Sequence, residues 1–466
     1  MKHRAIIHAI SLYAFSVVAG ATDPPNILFI LADDLGKEWI GCYGADDIET
    51  PHIDALAAGG MKFHNAYSMP QCTPSRVAFL TGTYPWRNGW VNHWDVPRWG
   101  VAYFDPTQRR NTTVASLLRE AGYATTAVGK WQINDYRIEP QVMRDHGFDD
   151  WLMWTGHELG NHASENRYAN PHIHTPQGSG TREGEFGPDL YTGHLIEFMR
   201  NHRSKPMFLY HAMALPHAPL IATPDEPDIT TPEEKHKAMV RYLDKQVGRL
   251  VTALDELGLR DRTIIIFTTD NGSTRSITGS LRGVKISGGK AVKSESGVCA
   301  PFIVNAPGLV LAGVETHALT DFTDMLPTFM DLAGATIPDD LEIDGVSIAP
   351  HLLGKADSTP REWILAMGYG PAVLDENGVR GKDDFAPRVI RDDRFKVWVN
   401  NKKNIHRLHD LASDRLETAN LLEGELDEAS QAALRKFQAV IDQLPDHDAR
   451  PLYVPRAPNP WDQTRK

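Results

Sequence analysis

The sequence predicts an α/β protein with a large, mostly parallel sheet flanked by helices, followed by a smaller C-terminal α+β subdomain that contains a short antiparallel sheet. Three observations support this fold class. Continuous apolar runs end in polar residues, helical segments alternate with these runs, and beyond residue 360 the pattern changes to short strands and one helix. We therefore expect one domain over residues 22–360 and a second over residues 361–466.

Two apolar runs are the clearest predicted strands. Residues 26–31 and 263–269 are short and continuous, which is typical of strands buried in a parallel sheet. Both end in acidic or amide side chains, at the carboxyl ends where α/β sheets bind ligands. These side chains belong to Asp33, Asp34, Asp270 and Asn271. Their oxygens suit a hard cation such as Ca²⁺, which takes about six to eight oxygen ligands, better than they suit zinc.

The other elements follow from capping residues and periodicity. Proline at the start and glycine at the end mark residues 51–60 as a short helix, and apolar residues three and four apart mark residues 233–258 as a long amphipathic helix. Further predictions are a helix at 113–121, strands at 123–128, 207–212 and 301–304, C-terminal strands at 388–390, 395–399 and 406–411, and a helix at 427–444. Residues 154–187 have no clear period, so we expect long loops over the site.

Composition limits the classes of partner. Among the 466 residues, 48 are Lys or Arg and 60 are Asp or Glu, so the formal net charge is -12. This charge argues against nucleic acid as a partner, because a phosphate backbone attracts basic surfaces. The three cysteines, Cys42, Cys72 and Cys299, are too few for a disulfide-stapled scaffold, and whether Cys42 pairs with Cys299 stays open.

The first 21 residues have the pattern of a signal peptide. Lys2 and Arg4 form a basic start, residues 5–18 are mostly apolar, and small residues follow at 19–21. The alternative is a membrane anchor, but the apolar run is short and polar residues follow it directly. We expect an exported protein, periplasmic or secreted, with no stable membrane anchor.

One short motif identifies a family. Cys72-Thr73-Pro74-Ser75-Arg76 directly precedes an apolar segment and resembles the CxPSR signature of the type I, formylglycine-dependent sulfatases of the alkaline phosphatase superfamily. Further blocks resemble the same family in the same order. They lie at residues 26–36, 50–68, 129–131, 214–219, 269–272, 288–290 and 408–414. The resemblance covers nearly the whole chain after the signal segment and implies an alkaline phosphatase-like fold.

The resemblance also implies a reaction and a set of residues. A maturation enzyme would oxidise Cys72 to formylglycine, whose hydrate attacks a sulfate ester. Ca²⁺ would be held by Asp33, Asp34, the modified Cys72, Asp270 and Asn271. The other implied catalytic residues are Arg76 and Lys130, which support the nucleophile, Lys290, which contacts sulfate, and His217, which gives a proton to the leaving oxygen.

Two positions depart from the family pattern. Gln132 stands where the family usually has a histidine, the base that regenerates the nucleophile. Glutamine can form hydrogen bonds, but it cannot accept a proton as a base near neutral pH. His157, His162 and His211 are candidates to replace it. Cys299 stands where the family often has arginine, which puts a structural ion pair in doubt.

The substrate is predicted less directly. Trp86, Trp90, Trp94, Trp99, Tyr103 and Phe104 follow the signature helix. They indicate either a surface that stacks on sugar rings or ordinary core packing. We expect a sulfated sugar or polysaccharide as substrate. The alternatives are a phosphonate or phosphodiester hydrolase of the same superfamily and a non-catalytic protein that binds sulfated glycans.

Overall fold

The structure is a computed structural model that describes residues 24–93, 102–136, 139–155, 167–368, 372–375 and 378–453. The predicted signal peptide lies outside the described residues. No helix in the described ranges is long and apolar enough to cross a membrane.

Strands and helices alternate along most of the chain. The strands are β1 (Asn26–Ala32), β2 (Met61–Tyr67), β3 (Ala102–Tyr103), β4 (Ala124–Lys130), β5 (Asp150–Trp154), β6 (His172–Thr175), β7 (Gly178–Thr181), β8 (Met207–Ala212), β9 (Thr263–Thr269), β10 (Thr278–Leu281), β11 (Val284–Ser287), β12 (Cys299–Asn305), β13 (Val314–Asp321), β14 (Ile364–Met367), β15 (Ala372–Asp375), β16 (Gly378–Gly381), β17 (Arg388–Arg391), β18 (Phe395–Val399), β19 (Ile405–Asp410) and β20 (Leu452–Tyr453). The helices are α1 (Pro51–Ala58), α2 (Cys72–Thr81), α3 (Pro85–Asn88), α4 (Val114–Glu120), α5 (Val142–Asp145), α6 (Gly187–Asn201), α7 (Pro232–Glu256), α8 (Glu295–Val298), α9 (Met325–Leu332), α10 (Ala349–Leu352) and α11 (Glu428–Gln443).

Within the described ranges, the main sheet has ten strands in the order β13-β2-β12-β9-β1-β8-β4-β5-β6-β7. Its centre, from β9 to β5, is entirely parallel, whereas β12 runs antiparallel to both of its neighbours. The predicted fold class is therefore confirmed. The two strands predicted to end in metal ligands, β1 and β9, are adjacent and pair from Asn26 with Thr263 to Ala32 with Thr269. Their carboxyl ends consequently meet at one edge of the sheet.

Helices cover both faces of this sheet, which explains why its central strands are apolar without alternation. One face packs against α2, α4 and α9, and the other packs against α1, α6 and α7. Every residue of β1 and of β9 is buried. Burial on both faces is the arrangement that a continuous apolar run predicts.

A second, four-stranded antiparallel sheet has the order β14-β17-β18-β19. Helix α11 packs on it through Phe437 and Ile441, and the apolar side chains of this sheet join the same hydrophobic cluster as one face of the main sheet. The predicted C-terminal elements are present. The boundary at residue 360 remains a prediction, since the two parts share one core.

The loop prediction for residues 154–187 is partly wrong. Strands β6 and β7 form a hairpin at the edge of the main sheet, and α6 begins at Gly187. The hairpin carries mostly polar and small residues over β7, so no apolar alternation marks it. Sequence reasoning also gave no prediction for β5, β13 or α9.

Candidate active site

Helix α2 places Cys72 at its first residue, facing the end of the main sheet. All ten residues of the helix are buried. The hydroxyl of Ser75 accepts a hydrogen bond from the Met69 amide at 2.9 Å, which fixes the turn before the helix. The thiol of Cys72 lies 3.4 Å from Oδ1 of Asp33. The signature motif therefore delivers its cysteine to the carboxyl end of β1.

The acidic residues after β1 and β9 meet as predicted. The backbone N–H of Asp34 donates to Oδ1 of Asp270 at 3.2 Å, and the side-chain Nδ2 of Asn271 donates to Oδ1 of Asp34 at 2.7 Å. All four of these side chains, including that of Asp33, are buried. Parallel pairing of β1 with β9 brings together residues that are more than two hundred positions apart.

Three buried or half-buried cations balance these carboxylates, one for each. Nζ of Lys130 lies 2.6 Å from Oδ2 of Asp33, and Nζ of Lys290 lies 2.8 Å from Oδ2 of Asp34. Nη2 of Arg76 lies 2.7 Å from Oδ2 of Asp270, and the same guanidinium donates to the Lys130 carbonyl at 2.7 Å.

His217 lies at the edge of this cluster. Its Nε2 is 3.6 Å from Oδ2 of Asp34, and its Nδ1 is 2.6 Å from the carbonyl oxygen of Ala218. The carbonyl can only accept, so Nδ1 carries a proton, and Nε2 becomes a donor only when the ring is cationic. The hydroxyl of Tyr168 contacts the carbonyls of Ala214 and His217, both at 2.6 Å, and holds this loop in place.

The charges in the cluster shift the acids in opposite directions. Burial by itself would raise the pKa of Asp33, but Lys130, His217 and Arg76 hold that pKa well below its usual range. Burial and the neighbouring Asp33 carboxylate raise the pKa of Asp270 to about 7. Burial and neighbouring charges therefore favour the ionised form of Asp33 and disfavour that of Asp270.

The donor set fits a hard divalent cation. Among the described residues, ligand atoms of Asp33, Asp34, Cys72 and His217 lie within 4.8 Å of one another. Within the same described ranges, the buried Oδ1 of Asn271 has no hydrogen-bond partner, which is costly unless another group binds it. Carboxylate and amide oxygens are the ligands that Ca²⁺ prefers.

Sequence reasoning missed Arg167. Its guanidinium packs over the ring of Trp154 at 4.3 Å from the ring centroid, and its Nη1 lies 3.7 Å from Oδ2 of Asp33. Trp154 pairs with Lys130 across β4 and β5, so the ring supports Arg167 beside the lysine that also contacts Asp33. Only 1% of the Arg167 side chain is exposed. No sequence signal marks this residue, since it lies in a segment without a period.

The structure limits which histidine could replace the base missing at Gln132. His211 is buried on the opposite face of the sheet, in a small cavity lined by Tyr191 and Gln246, and is therefore a poor candidate. His157 and His162 lie outside the described residues. Nδ1 of His93 lies 2.7 Å from the hydroxyl of Thr73, which donates to the Gln132 carbonyl at 3.1 Å.

Two open questions about the sequence are answered in part. Trp90 and Phe104 are buried in the core, and Trp86 packs against it. Trp94 and Trp99 lie outside the described residues, as does the side chain of Tyr103.

Cys42 and Cys299 are free thiols, so they do not pair.

Comparison with known proteins identifies the family. The model of the family described as Sulfatase matches residues 25–335. The chain belongs to the sulfatase family. A second model, described as N-sulphoglucosamine sulphohydrolase, C-terminal, matches residues 289–443. The protein is accordingly a hydrolase of sulfate esters.

Curated sulfatases are similar over most of the chain. The human N-acetylgalactosamine-6-sulfatase is 33% identical over 357 residues, which cover 72% of this chain and 67% of that protein. The human arylsulfatase A is 31% identical over 483 residues and covers 93% of this chain and 90% of its own length.

Solved structures share the fold of this sulfatase. The crystal structure of Ps i-CgsB in complex with k-i-k-neocarrahexaose has a TM-score of 0.73 and 25% sequence identity, covering 90% of this chain and 93% of that one. The structure of BT4656 in complex with D-Glucosamine-2-N, 6-O-disulfate has a TM-score of 0.70 at 22% identity, covering 91% and 97% of the two chains, and supports the fold alone.

Proposed function

We propose that this sulfatase removes sulfate from a sulfated sugar or polysaccharide, with a formylglycine made from Cys72 as nucleophile and Ca²⁺ as cofactor. The carrying observation is the position of Cys72. It begins a buried helix and faces three buried carboxylates and their cations. A buried structural cysteine has no need of such surroundings, because a neutral thiol packs well among apolar side chains.

The Cys72 thiol itself is poorly suited to attack. Burial and the Asp270 carboxylate raise its pKa to about 12, so it stays protonated at neutral pH. Formylglycine removes this difficulty, because the hydrated aldehyde supplies an oxygen nucleophile. Conversion needs a maturation enzyme and an oxidant before the sulfatase reaches its working form.

The reaction can be written with its atoms in balance. One hydroxyl of the hydrated aldehyde attacks sulfur and gives up its proton, and the bond from sulfur to the ester oxygen breaks as His217 protonates the leaving alcohol. The second hydroxyl then loses its proton to solvent, the bond from its carbon to the sulfate oxygen breaks, and the aldehyde re-forms as inorganic sulfate leaves. One water molecule adds to the aldehyde and restores the hydrate, so the whole cycle consumes one water. Lys130 and Arg76, which contact Asp33 and Asp270, would support the nucleophile, and Lys290, which contacts Asp34, would bind a sulfuryl oxygen.

The implied Ca²⁺ would be held by Asp33, Asp34, Asp270, Asn271 and the modified Cys72. When bound, it supplies positive charge that polarises the sulfate ester. The unpartnered Oδ1 of Asn271 and the raised pKa of Asp270 both support a cation at this position.

Arg167 adds a contact that the sequence did not predict. Its Nη1 lies at ion-pair distance from Asp33, beyond hydrogen-bond length, and Trp154 fixes the plane of the guanidinium. Arginine binds oxyanions through two parallel N–H donors of its planar guanidinium. We assign Arg167 to the sulfate or to an acidic group beside it on the sugar.

The sugar assignment rests on relatives. N-acetylgalactosamine-6-sulfatases act on a sulfated sugar by their name, and Ps i-CgsB was solved with a neocarrahexaose. Export, which the first 21 residues predict, would place the enzyme where extracellular polysaccharides occur.

The mass of the peptide that carries Cys72 tests the mechanism. Protein made in a host able to convert it should show the thiol replaced by an aldehyde and should release sulfate from an aryl sulfate. Cys72→Ala, made in the same host, should fold and release none. Unmodified Cys72 together with undiminished sulfate release would refute the formylglycine mechanism.

A comparison of substrates separates the remaining alternatives. Turnover of an aryl sulfate should exceed turnover of a matched phosphonate ester, and the reverse order would favour a phosphonate or phosphodiester hydrolase. Gln132 favours the other alternative, a protein that only binds sulfated glycans. That alternative predicts glycan binding and no sulfate release even after Cys72 has been converted.

A further inference from the structure

A second cavity, distinct from the cluster around Cys72, has the chemistry of an oxyanion site. It has a volume of about 310 Å³ and lies between the β10–β11 hairpin, the edge of the main sheet at β2 and β13, and the loop after β19. This volume is at the lower end of the range for small-molecule sites. Binding of an anion in this cavity requires no formylglycine chemistry at Cys72.

The ammonium of Lys37 contacts only neutral groups within the described residues. Its ammonium donates to the carbonyl of His64 at 2.8 Å and to the sulfur of Cys299 at 3.0 Å, and it lies 5.4 Å from the centre of the Tyr43 ring. Each of these partners is neutral, since burial raises the pKa of the Cys299 thiol. No carboxylate among the described residues forms an ion pair with Lys37. A half-buried cation held only by neutral groups favours binding of an anion.

The other charged groups at this cavity leave an excess of positive charge. Arg282 and Arg415 line it and have no ion-pair partner within the described part of the chain. Glu295 is neutralised by Arg391 at 2.9 Å and by Lys396. Two further acids line the cavity.

Those two acids are Glu38 and Asp393. Glu38 is buried and receives a hydrogen bond from Ser273 at 2.6 Å, and burial raises its pKa to about 6. Asp393 is exposed at the rim. An excess of cations in one cavity stands out in a chain whose net charge is -12. Such local fields attract anions even to acidic proteins.

The short side chain of Cys299 creates the space beside Lys37. Its sulfur contacts the Lys37 ammonium and the His64 carbonyl, and a longer side chain would occupy the volume next to them. Apolar residues complete the wall, namely Tyr43, Leu281, Ile286, Leu411 and Leu416. One cationic end and one apolar wall suit a compact anionic ligand such as a sulfated or carboxylated sugar.

We propose that this cavity binds the oxyanion group of an anionic sugar, with Lys37 as its principal contact. Asp34 and Lys37 are three residues apart in the sequence, and Gly36 between them lines the cavity. A polymeric substrate would then gain affinity from two anionic groups on one chain.

Counting sulfate sites by titration calorimetry at low ionic strength tests this proposal. Full-length protein should bind inorganic sulfate at two sites. Lys37→Met should weaken one of them by roughly tenfold to a hundredfold, as expected for losing a hydrogen bond to a charged group, and Lys37→Arg should retain both. Lys285→Met is the matched control. Lys285 lies on the β10–β11 hairpin that borders the cavity, but its side chain is 71% exposed and does not line the cavity.

Two further arms locate the site and its ligand. Crystals soaked in selenate should show the anion beside Lys37, and Cys299→Leu should exclude it by filling the space. Glucuronate, a carboxylated sugar, should compete for this position, and binding of selenate without competition by glucuronate would refute the sugar assignment. Sulfate binding that is unchanged in Lys37→Met, or selenate that is absent beside Lys37, would overturn the proposal, whatever activity Cys72 supports.

Discussion

Glu295→Gln should destabilise the protein because it removes the carboxylate that neutralises two buried cations. Oε2 of Glu295 lies 2.9 Å from Nη1 of Arg391, and Oε1 lies 3.0 Å from Nζ of Lys396. The side chains of Arg391 and Lys396 are 4% and 0% exposed. Removing one partner of a buried ion pair costs about 3–5 kcal/mol. We expect the lower end, about 3 kcal/mol, since Lys396 keeps an ion pair with Glu417 at 3.0 Å.

The matched control is Glu315→Gln. Glu315 also contacts two basic side chains, Lys62 at 2.8 Å and His64 at 2.9 Å, but its own side chain is 59% exposed. Exposed ion pairs contribute at most about 1 kcal/mol. Urea unfolding of both variants at pH 7 measures the difference in the free energy of unfolding. Equal losses would refute the reasoning that burial, rather than the number of contacts, sets the cost.

The pH dependence gives a second check on the same cluster. Burial opposes ionisation of Glu295, but Lys396 and Arg391 hold the pKa of its carboxyl well below the ordinary value of 4.5. The stabilisation is therefore complete above pH 4.5 and is lost as the pH falls through the depressed folded value. The stability difference between the unaltered protein and Glu295→Gln should shrink below pH 4.5. A difference that stays constant to low pH would contradict the assignment.

Three other substitutions test separate features. Glu38→Gln should raise the free energy of unfolding by about 2 kcal/mol at pH 7.5 relative to its effect at pH 4. Burial raises the pKa of Glu38 from 4.5 to about 6, so the unaltered protein loses stability as the pH rises through this interval. Urea unfolding of both proteins at pH 4 and pH 7.5 measures the effect. Asp270→Ala should lower both Ca²⁺ retention after dialysis and the rate of sulfate release. Each loss should exceed the roughly ten- to hundredfold loss that is typical when a residue that only supports a metal ligand is replaced. Arg167→Gln should weaken inhibition by inorganic sulfate about tenfold or more, and Arg167→Lys less; equal inhibition constants would exclude contact with sulfate.

The site is predictable from sequence where local pattern and resemblance coincide. Asp33 and Asp34 follow one apolar run and Asp270 follows another, so a parallel sheet had to bring them to one edge. Cys72 begins a helix because Pro74 and the apolar residues after it favour that start. Lys130 and Lys290 could be named only from the family resemblance, because a lysine in isolation gives no signal.

Arg167 could not be predicted, for a different reason. It lies in a segment with no period, and its importance comes from Trp154, which the pairing of β4 with β5 places beside Lys130. The hairpin of β6 and β7 was missed because β7 consists of glycine, serine and threonine and gives no apolar alternation. The antiparallel direction of β12 was equally invisible, since direction depends on neighbours rather than on composition.

The sequence by itself determined many of the elements, the family and the chemical types gathered at the site, because strand periodicity, capping and the CxPSR motif are local properties. The tertiary structure alone decided which charges lie within contact distance. It paired Lys130 with Asp33, Lys290 with Asp34 and Arg76 with Asp270, and left Lys37 with neutral partners. These contacts join residues far apart in the chain, and Coulomb energies depend on distance and burial, which no local pattern encodes.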